Sequence, residues 1–512
     1  MWLCSGLLFA LAIQRTATEI RKSNTEHNLA SAPDLLLIVT DDQDADDYAI
    51  DQMRLTSGHF RTNGITFSNA FVCTPLCCPS RASILTGLYA HNHQCTNNSV
   101  SGHCASEQWH QLNENKTIAS RLAEAGYITM FSGKYLNRYG KRRGAVAVGH
   151  VPQGWKWWTA LVGNSRYYDY SLSINGTRRT HGHNVEHDYL TTVVRNDAVH
   201  FLRTVPNWHP ERPIFMMLCP PAPHAPFTYE QKYAHNFTMV QAPRTPSFNV
   251  HGRGKHWLLR QARTPMATES VAFLDEAYRD RLRTLLSTDS LVDDVIRSLQ
   301  QLRGRHRPFY AIYTSDNGFH HGQFSLPTDK RQPYEFDVRV PFLVTAGRTS
   351  SLLCRNCMRL NPILNIDIAP TLLELAGLNV ARMEFDGKSA ASLIRGRKKH
   401  QHWKRTFLVQ YWGESGQGVP EKCGVLQGVA ECKPDCVCED ASNNTYACRR
   451  QLSSSGIDRI TCKFDDSQRF IEQYNLRKDP FQLYNRAQLK NRRTLRRRVG
   501  RQIERMRNKS HR

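Results

Sequence analysis

DLLLIVTDD, residues 34–42, is an almost uninterrupted apolar run that ends in two acids. A short run without polar alternation is typical of a parallel strand that is buried on both faces. Ligands of α/β sheets bind beyond the carboxyl ends of such strands. The sequence therefore predicts chemistry beside Asp41 and Asp42.

Similar strand and helix patterns recur along the next 300 or so residues. Residues 212–218 (RPIFMML) and 307–314 (RPFYAIYT) have the character of further buried strands, and residues 81–88 are expected to start a helix. Between the two strands, apolar residues repeat at helical spacing from Leu291 to Leu302. Strands that alternate with helices predict an α/β fold with helices on both faces of the sheet.

The composition divides the chain into unequal parts. Residues 31–394 carry the strand and helix patterns and are predicted to form one large catalytic domain. Residues 395–405 (RGRKKHQHWKR) are strongly basic and lack an apolar pattern, so we place a linker there. Residues 406–512 are rich in cysteine and are predicted to form a smaller α+β domain. Its short strands are expected at 407–411, 459–464 and 470–476.

Several features indicate the secretory route. Residues 1–17 include an apolar stretch of signal-peptide length, although no basic residue precedes it, and a buried N-terminal segment is the alternative. Clustered cysteines near the C-terminus are typical of a disulfide-linked module in an oxidising compartment. No later apolar segment has the length to span a membrane, so we expect a lysosomal or secreted glycoprotein without stable membrane insertion. The six N-x-[ST] triplets begin at Asn97, Asn115, Asn175, Asn236, Asn443 and Asn508, and the clustered cysteines are Cys423, Cys432, Cys436, Cys438, Cys448 and Cys462.

The formal charge of +23 requires either a polyanionic partner or a structural explanation. Residues 490–512 contain eleven Lys or Arg against the single acid Glu504. Apolar residues from Leu495 to Met506 fall at helical spacing, which favours a helix packed on the body with a solvated basic face. Attraction of an acidic polysaccharide to that face is the alternative. Nucleic acid is not expected, because no zinc-finger, RNA-recognition or phosphate-loop pattern accompanies the charge.

The chemistry centres on Cys77-Cys78-Pro79-Ser80-Arg81, continued by Leu85-Thr86-Gly87. Two pairs of oxygen-bearing side chains follow predicted strands, Asp41-Asp42 after the first and Asp316-Asn317 after the strand at 307–314. Four such side chains at two strand ends are what a hard divalent cation requires. One Asp-Asp pair alone is more often a solvated turn, but the two pairs together favour a metal site.

These motifs resemble the sulfatase family, which has C-x-P-S-R followed by L-T-G between the acids and an Asp-Asn-Gly sequence. The resemblance implies an alkaline-phosphatase-like α/β fold, with a large central mixed sheet flanked by helices and a smaller C-terminal α+β domain. It also implies that Cys77 is oxidised to formylglycine, whose hydrate supplies the nucleophile. One calcium ion is implied beside it, held by Asp41, Asp42, Asp316, Asn317 and residue 77. Two ordinary cysteines, buried or disulfide-bonded, are the structural alternative.

The resemblance also assigns roles to charged residues around this centre. Arg81 matches an arginine that steadies the formylglycine hydroxyl, and Lys134 and Lys330 match lysines that bind the sulfate. His224 matches a histidine near the leaving oxygen, and Asp316 is implied to accept the proton of the nucleophile. Each residue alone is better explained as an ordinary surface charge or core histidine. The ordered set favours catalysis.

One difference from the arylsulfatase motif narrows the choice of subfamily. Many arylsulfatases have Gly-Lys-Trp-His where this chain has GKYLN at 133–137, so a second histidine is absent and Asn137 is expected to replace it as a polar contact with substrate. His320 is a further candidate contact with sugar or sulfate. Runs such as GKYLNRYG (133–140) and CKPDCVCEDASNNTYACRR (432–450) are similar to the sulfatases that act on N-acetylglucosamine 6-sulfate.

The implied function is hydrolysis of 6-O-sulfate esters of N-acetylglucosamine in heparan sulfate and keratan sulfate, after maturation by a formylglycine-generating enzyme. Three alternatives stay open, and so does the oligomeric state. Extracellular heparan endosulfatases share several runs but carry a long charged insertion. A phosphomonoesterase or phosphodiesterase of this architecture would use Ser or Thr, commonly with two zinc ions. A sulfoglycan-binding protein that has lost catalysis would not need an oxidisable cysteine at position 77.

Two cysteine predictions concern structure. Cys354 and Cys357 form a C-x-x-C pair, for which a local disulfide or two free thiols is favoured over a redox or zinc pair in an oxidising compartment. Thirteen cysteines remain after Cys4 and Cys77 are set aside, so at least one is unpaired. Cys219, at the end of an apolar strand, is the candidate.

Overall fold

The computed structural model describes residues 29, 31–141, 144–305, 307–352, 354–396, 402–414, 435, 437–489 and 492–509. The predicted signal peptide, much of the predicted linker, and Cys4, Cys423, Cys432 and Cys436 lie outside the described residues. The division of the chain at 395–405 stays a prediction.

The described chain contains strands in two main sheets, two short two-stranded pairs, and helices between them. The strands are β1 (Asp34–Thr40), β2 (Gly64–Phe67), β3 (Ala70–Phe71), β4 (Ile128–Gly133), β5 (Trp157–Leu161), β6 (Tyr170–Ile174), β7 (Thr177–His181), β8 (Ile214–Cys219), β9 (Phe309–Ser315), β10 (His320–His321), β11 (Thr328–Asp329), β12 (Phe342–Ala346), β13 (Cys357–Arg359), β14 (Ile363–Leu364), β15 (Lys404–Tyr411), β16 (Tyr446–Ser453), β17 (Asp458–Phe464) and β18 (Ile471–Asn475). The α-helices are α1 (Asp47–Gln52), α2 (Arg54–Ser57), α3 (Cys77–Thr86), α4 (Ala90–His93), α5 (Glu107–Asn113), α6 (Ile118–Glu124), α7 (Leu190–Trp208), α8 (Trp257–Gln261), α9 (Thr268–Leu302), α10 (Glu335–Val338), α11 (Ile368–Leu375), α12 (Ala391–Arg395) and α13 (Arg492–Lys509).

A ten-stranded mixed sheet forms the centre, in the order β13-β2-β12-β9-β1-β8-β4-β5-β6-β7. β9, β1, β8, β4 and β5 are parallel, while β12, β6 and β7 run antiparallel to their neighbours. β8 and β9 each begin just after a proline, Pro213 and Pro308, which has no N–H to donate to the ladder. The predicted strands therefore exist and start two residues later than expected.

Apolar side chains on both faces of β1 explain its uninterrupted sequence. Leu36 and Ile38 pack in one cluster with α7 and α9, and Leu35 and Leu37 pack in another with α3 and α11. The two sets point to opposite faces because side chains alternate along a strand. Helices on both faces of the sheet were predicted, and this is confirmed. α9 is 35 residues long, and the predicted helical repeat covers only its last third.

The C-terminal part is a four-stranded antiparallel sheet, β15-β16-β17-β18, with α13 packed on it. The three predicted strands are confirmed, each with bounds shifted by up to three residues. Val499 and Ile503 of α13 are buried, as the helical spacing predicted. The sheet also shares the core of the larger part, because the Phe71 and Phe407 rings lie 5.5 Å apart. The predicted α/β architecture with a small C-terminal unit is confirmed.

Three disulfides join described cysteines: Cys78–Cys104, Cys354–Cys357 and Cys448–Cys462. Of the two states favoured for the C-x-x-C pair, a local disulfide or two free thiols, the structure has the disulfide. Free thiols among the described residues are Cys73, Cys77, Cys95 and Cys219, so the prediction for Cys219 is confirmed as well. Of the helices in the described ranges, none combines the length and apolar character needed to cross a bilayer.

Candidate active site

The two predicted acidic pairs meet at the carboxyl ends of neighbouring strands β1 and β9. The backbone N–H of Asp42 donates to Asp316 Oδ1 at 3.0 Å, and the Asn317 amide donates to Asp42 Oδ1 at 2.8 Å. Asp42 has a φ of 66°, a left-handed conformation that aspartate adopts more readily than most residues. All four side chains are buried. Because β1 and β9 are neighbours in the sheet, the two acidic pairs form one cluster.

Cys77 is the first residue of α3, at the end of the helix where backbone N–H groups and the helix dipole favour negative charge. Its thiol lies against this cluster, with Sγ 3.8 Å from Asp42 Oδ1. Burial raises the pKa of Cys77 to about 12, so the unmodified side chain is a neutral thiol. Gly87, with a φ of 72°, ends the helix.

Three cations surround the carboxylates. Arg81, one turn after Cys77, donates from Nε to Asp316 Oδ2 at 2.8 Å, and Lys134 Nζ lies 2.7 Å from Asp41 Oδ2. Lys330 Nζ forms an ion pair with Asp42. Gly133, just before Lys134, has a φ of 110°, and a Cβ there would lie 2.1 Å from the carbonyl oxygen of Cys219. Only glycine therefore allows β4 to deliver Lys134 at this distance from β8.

The cations set the charge state of the carboxylates. Burial opposes ionisation of Asp41, but the positive charges of Lys134 and Arg81 lower its pKa well below the ordinary value. Burial raises the pKa of Asp316 to about 7, against the opposing effect of Arg81. The site is therefore a buried set of nearly balanced charges.

The residues present fit a divalent cation. Ligand atoms of Asp41, Asp42, Cys77 and His224 all lie within 4.8 Å of one another. Asn317 Oδ1 is buried and accepts no hydrogen bond within the described chain. Carboxylate and amide oxygens of this kind are the ligands that hard cations prefer.

His224 lies on the open side of the site. Its side chain is 19% exposed against 1% for Asp42, and its Nε2 lies 3.7 Å from Asp42 Oδ2. Nδ1 lies 2.6 Å from the carbonyl oxygen of Ala225. Because a carbonyl only accepts, Nδ1 carries a hydrogen and Nε2 is the atom that faces the site. Burial lowers the pKa of His224 to about 4, which makes the ring neutral.

The expected contact of His320 with sugar or sulfate is corrected by the structure. Its ring is buried, with Nδ1 2.9 Å from Asp337 and Nε2 2.9 Å from Glu439. Both nitrogens are therefore engaged by carboxylates within the protein. Burial opposes protonation, but Glu439 and Asp337 raise the pKa of His320 well above its ordinary value. His320 is a buried cation that joins two parts of the chain.

Asn137 is buried in the loop after β4, and its Oδ1 has no hydrogen-bond partner in the described chain. Its role in substrate binding stays a prediction.

Sequence reasoning missed two side chains that support the acids. Ser165 Oγ donates to Asp41. Arg281 of α9 donates to the backbone oxygens of Asp42 at 2.7 Å and Pro223 at 3.0 Å. No motif marks Ser165, whereas Arg281 carries one signal, a charged residue on the apolar face of an amphipathic helix.

The C-terminal part of the chain supports the loop that carries Lys330. Arg331 pairs with Glu414 at 2.9 Å, and the Tyr446 hydroxyl donates to the carbonyl oxygen of Arg331 at 2.9 Å. Glu439 accepts from Gln332 at 2.7 Å as well as contacting His320. This support was not predicted, because the partners are about 80 to 120 residues apart in sequence.

A family model described as Sulfatase matches residues 33–378. The N-acetylglucosamine-6-sulfatase of Homo sapiens is 46% identical over 462 residues, which cover 89% of this chain and 81% of that protein. An extracellular sulfatase SULF-1 homolog of Drosophila melanogaster is 36% identical over 401 residues, or 77% of this chain and 34% of that protein.

The fold is also shared with a structure solved in complex with its substrate D-glucosamine-2-N,6-O-disulfate. The TM-score is 0.69 at 18% identity, and the match covers 94% of this chain and 98% of that one. The family match spans the strand ends, Cys77 and both lysines of the site. The chain belongs to the sulfatase family, whose members are sulfuric ester hydrolases.

Proposed function

We propose that the protein removes 6-O-sulfate groups from N-acetylglucosamine residues of heparan sulfate and keratan sulfate, using formylglycine at position 77 and one calcium ion. The observation that carries the proposal is the meeting of Cys77 with Asp41, Asp42 and two lysines at one sheet edge. The choice of sugar is supported by 46% identity to N-acetylglucosamine-6-sulfatases.

The sulfatase family uses a formylglycine and a divalent metal. When bound, the cation would polarise the sulfate and lower the pKa of the hydroxyl on residue 77, which supplies the nucleophile. Asp41, Asp42, Asp316 and Asn317 would hold it, and an all-oxygen set favours calcium.

The other residues of the site act on the ester. Lys134 and Lys330 would bind sulfate oxygens and offset the charge that develops on them, and Arg81 would orient residue 77. Asp316 would accept the proton of the nucleophile, because its carboxylate is hydrogen-bonded to the backbone of Asp42, whose side chain contacts residue 77. His224 would lie near the leaving oxygen, since its Nε2 faces the open side.

The burial of the site residues supports action on a terminal sugar. Cys77, Asp42, Lys134 and Lys330 are almost completely buried, and His224 is only partly exposed. An internal sugar of a long chain would have to bring both of its neighbours into this site. We therefore propose exo action, with residues 31–394 as the catalytic part and residues 406–512 as its support.

We also propose that the chain enters the secretory pathway, where a formylglycine-generating enzyme modifies Cys77, and that it acts in the lysosome or after secretion. Three disulfides between described cysteines support an oxidising compartment. Four triplet asparagines, Asn115, Asn175, Asn236 and Asn508, are exposed. A glycan at these sites needs no change in the core.

The substitution Cys77→Ala tests the function. We expect kcat/KM on N-acetylglucosamine 6-sulfate to fall about a thousandfold or more, because the nucleophile is lost. The melting temperature should change little, since the thiol's single hydrogen-bond contact among the described residues is the long one to Asp42. Cys95→Ala, at a buried free thiol outside the site, is the matched control and should keep its activity.

Three outcomes would contradict parts of the proposal. Unchanged turnover by Cys77→Ala would refute the formylglycine mechanism. An unmodified cysteine in the mass spectrum of the peptide containing residue 77, with no turnover, would favour a sulfoglycan-binding protein. Faster hydrolysis of internal than of terminal 6-sulfated sugars would favour an endosulfatase.

A further inference from the structure

The helix α13 presents a row of arginines to solvent. Val499 and Ile503 are buried on its inner side, whereas Arg497, Arg501 and Arg505 are exposed. Residues four apart stand above one another on a helix, so the three guanidinium groups share one face. At a rise of about 1.5 Å per residue, the row is about 12 Å long.

The positive surface continues onto the sheet beneath the helix. In the pairing of β16 with β17, Arg449 lies opposite Thr461 and Lys463 lies opposite Ala447. Alternation along a strand puts Arg449 and Lys463 on one face, and both are partly exposed. Arg450 points to the other face, where it is buried and contacts Glu335 at 3.3 Å.

Like charges face each other where the helix meets the sheet. Burial and then the nearby guanidinium of Arg498 lower the pKa of Arg449. Within the described ranges, no carboxylate lies within ion-pair distance of Arg497, Arg498, Arg501 or Arg505, and α13 contains one acid, Glu504. The helix therefore concentrates positive charge at its exposed side.

A linear sulfated polysaccharide fits this surface better than a compact ligand. Its sulfate groups recur along the chain, and guanidinium groups bind such oxyanions with two parallel hydrogen bonds. The row of arginines matches an extended polyanion, and no apolar side chain of the row is available to insert into a lipid bilayer. If the catalytic site binds a sulfated sugar, the polysaccharide that carries this sugar is the polyanion that reaches the protein.

We propose that Arg497, Arg498, Arg501 and Arg505 of α13, with Arg449 and Lys463 of the sheet, form a docking surface for heparan sulfate. We call these six residues the basic face. The inference rests on the proposed function for the identity of the polymer. Docking at a second surface raises the local concentration of chain ends, so it lowers KM for long chains without changing the chemistry.

The test combines Arg497→Gln, Arg501→Gln and Arg505→Gln in the full-length enzyme. Binding to immobilised heparan sulfate is measured by surface plasmon resonance from low to high salt. We expect Kd near physiological salt to rise about tenfold or more, since three exposed charge contacts are lost, and the salt dependence to become shallower. KM for long heparan sulfate oligosaccharides should rise, while kcat/KM for monosaccharide N-acetylglucosamine 6-sulfate stays unchanged.

The matched control combines Arg54→Gln, Arg179→Gln and Arg348→Gln, which removes the same charge from exposed positions elsewhere. It should keep the affinity for heparan sulfate. Unchanged binding by the α13 variant, or an equal loss in the control, would overturn the proposal. So would a variant that keeps heparan sulfate but loses binding to vesicles containing phosphatidylserine, which would indicate a membrane surface.

Binding and turnover separate this inference from the proposed function. Binding that depends on the basic face, in an enzyme that does not hydrolyse 6-sulfated sugars, would refute the function and leave the docking surface. Hydrolysis of the monosaccharide with no heparan sulfate binding would refute the docking surface and leave the proposed function.

Discussion

The side-chain oxygen of Asn317 is a buried acceptor beside the proposed metal site. Asn317 Nδ2 donates to Asp42 and to the backbone oxygen of Gly318, both at 2.8 Å, while Oδ1 is buried and has no donor among the residues that the structure describes. A buried acceptor left unsatisfied costs about 1–3 kcal/mol. A bond to a hard cation would remove that cost, so Asn317 contributes more to metal affinity than to the stability of the metal-free protein.

We therefore expect Asn317→Ala to weaken calcium binding by about tenfold or more and to lower activity in parallel. Calorimetric titration of calcium and activity at increasing calcium concentration measure the two effects. Asn113→Ala, at a buried amide that bonds to the His93 carbonyl oxygen outside the site, should cost stability but leave calcium affinity unchanged. Full activity after complete removal of divalent metal would contradict the metal assignment.

The loop after β11 is held by the C-terminal part of the chain. Lys330 reaches Asp42 from this loop, and the next two residues are held by Glu414, Tyr446 and Glu439. These contacts are buried and involve charged groups, so the loss of one partner leaves the other as a buried charge or polar group without a partner. The C-terminal unit is therefore part of the active-site framework.

Replacement of Glu439 by alanine tests this dependence. It leaves His320 Nε2 and the Gln332 amide without an acceptor, and we expect the free energy of unfolding to fall by about 3–5 kcal/mol. Activity should fall as well, because Gln332 lies two residues from Lys330. Glu439→Gln keeps an acceptor and should recover part of both losses. Urea unfolding and steady-state kinetics report the effects, with exposed Glu504→Ala as control, and an unchanged unfolding free energy would argue against the support role.

At the scale of the whole molecule, stability is expected to depend on pH through a cluster remote from the catalytic site. Glu114 contacts His110 at 2.8 Å and His150 at 2.9 Å. The hydrogen bond to Glu114 raises the pKa of His150 above 6.5. Burial opposes ionisation of Glu114, but hydrogen bonds from His150 and His110 lower its pKa below 4.5.

The directions of the two pKa shifts define the pH range in which this cluster stabilises the fold. A raised histidine pKa gives stability that is complete below about pH 6.5 and is lost as pH rises through the raised value. A lowered glutamate pKa gives stability that is present above about pH 4.5 and is lost as pH falls through the lowered value. The pair therefore stabilises most between about pH 4.5 and 6.5, which suits an acidic compartment.

The substitution His150→Gln should lower the melting temperature more at pH 5.5 than at pH 8. Differential scanning calorimetry at the two pH values measures the difference. His235→Gln, at an exposed histidine, should show no such dependence. An equal loss at both pH values would contradict the assigned shifts.

The sequence by itself determined the elements and the chemical parts of this protein. DLLLIVTDD became a buried central strand, because an apolar run without alternation has only one stable environment, a sheet covered on both faces. Cys77 and Lys134 were identified because their motifs resemble those of the sulfatase family, and the acidic pairs because each follows a predicted strand. The prediction for His320 was wrong, because proximity in sequence to Asp316 does not reveal which carboxylates will surround a ring.

Only the tertiary structure decided which groups meet. Ser165 and Arg281 reach Asp41 and the Asp42 backbone across 124 and 239 residues, and Glu439 reaches His320 across 119. No local pattern encodes these contacts, because they depend on strand order and on how helices pack over the sheet. Local sequence sets backbone preference and burial, whereas pairings between distant charges arise only when the whole core is assembled.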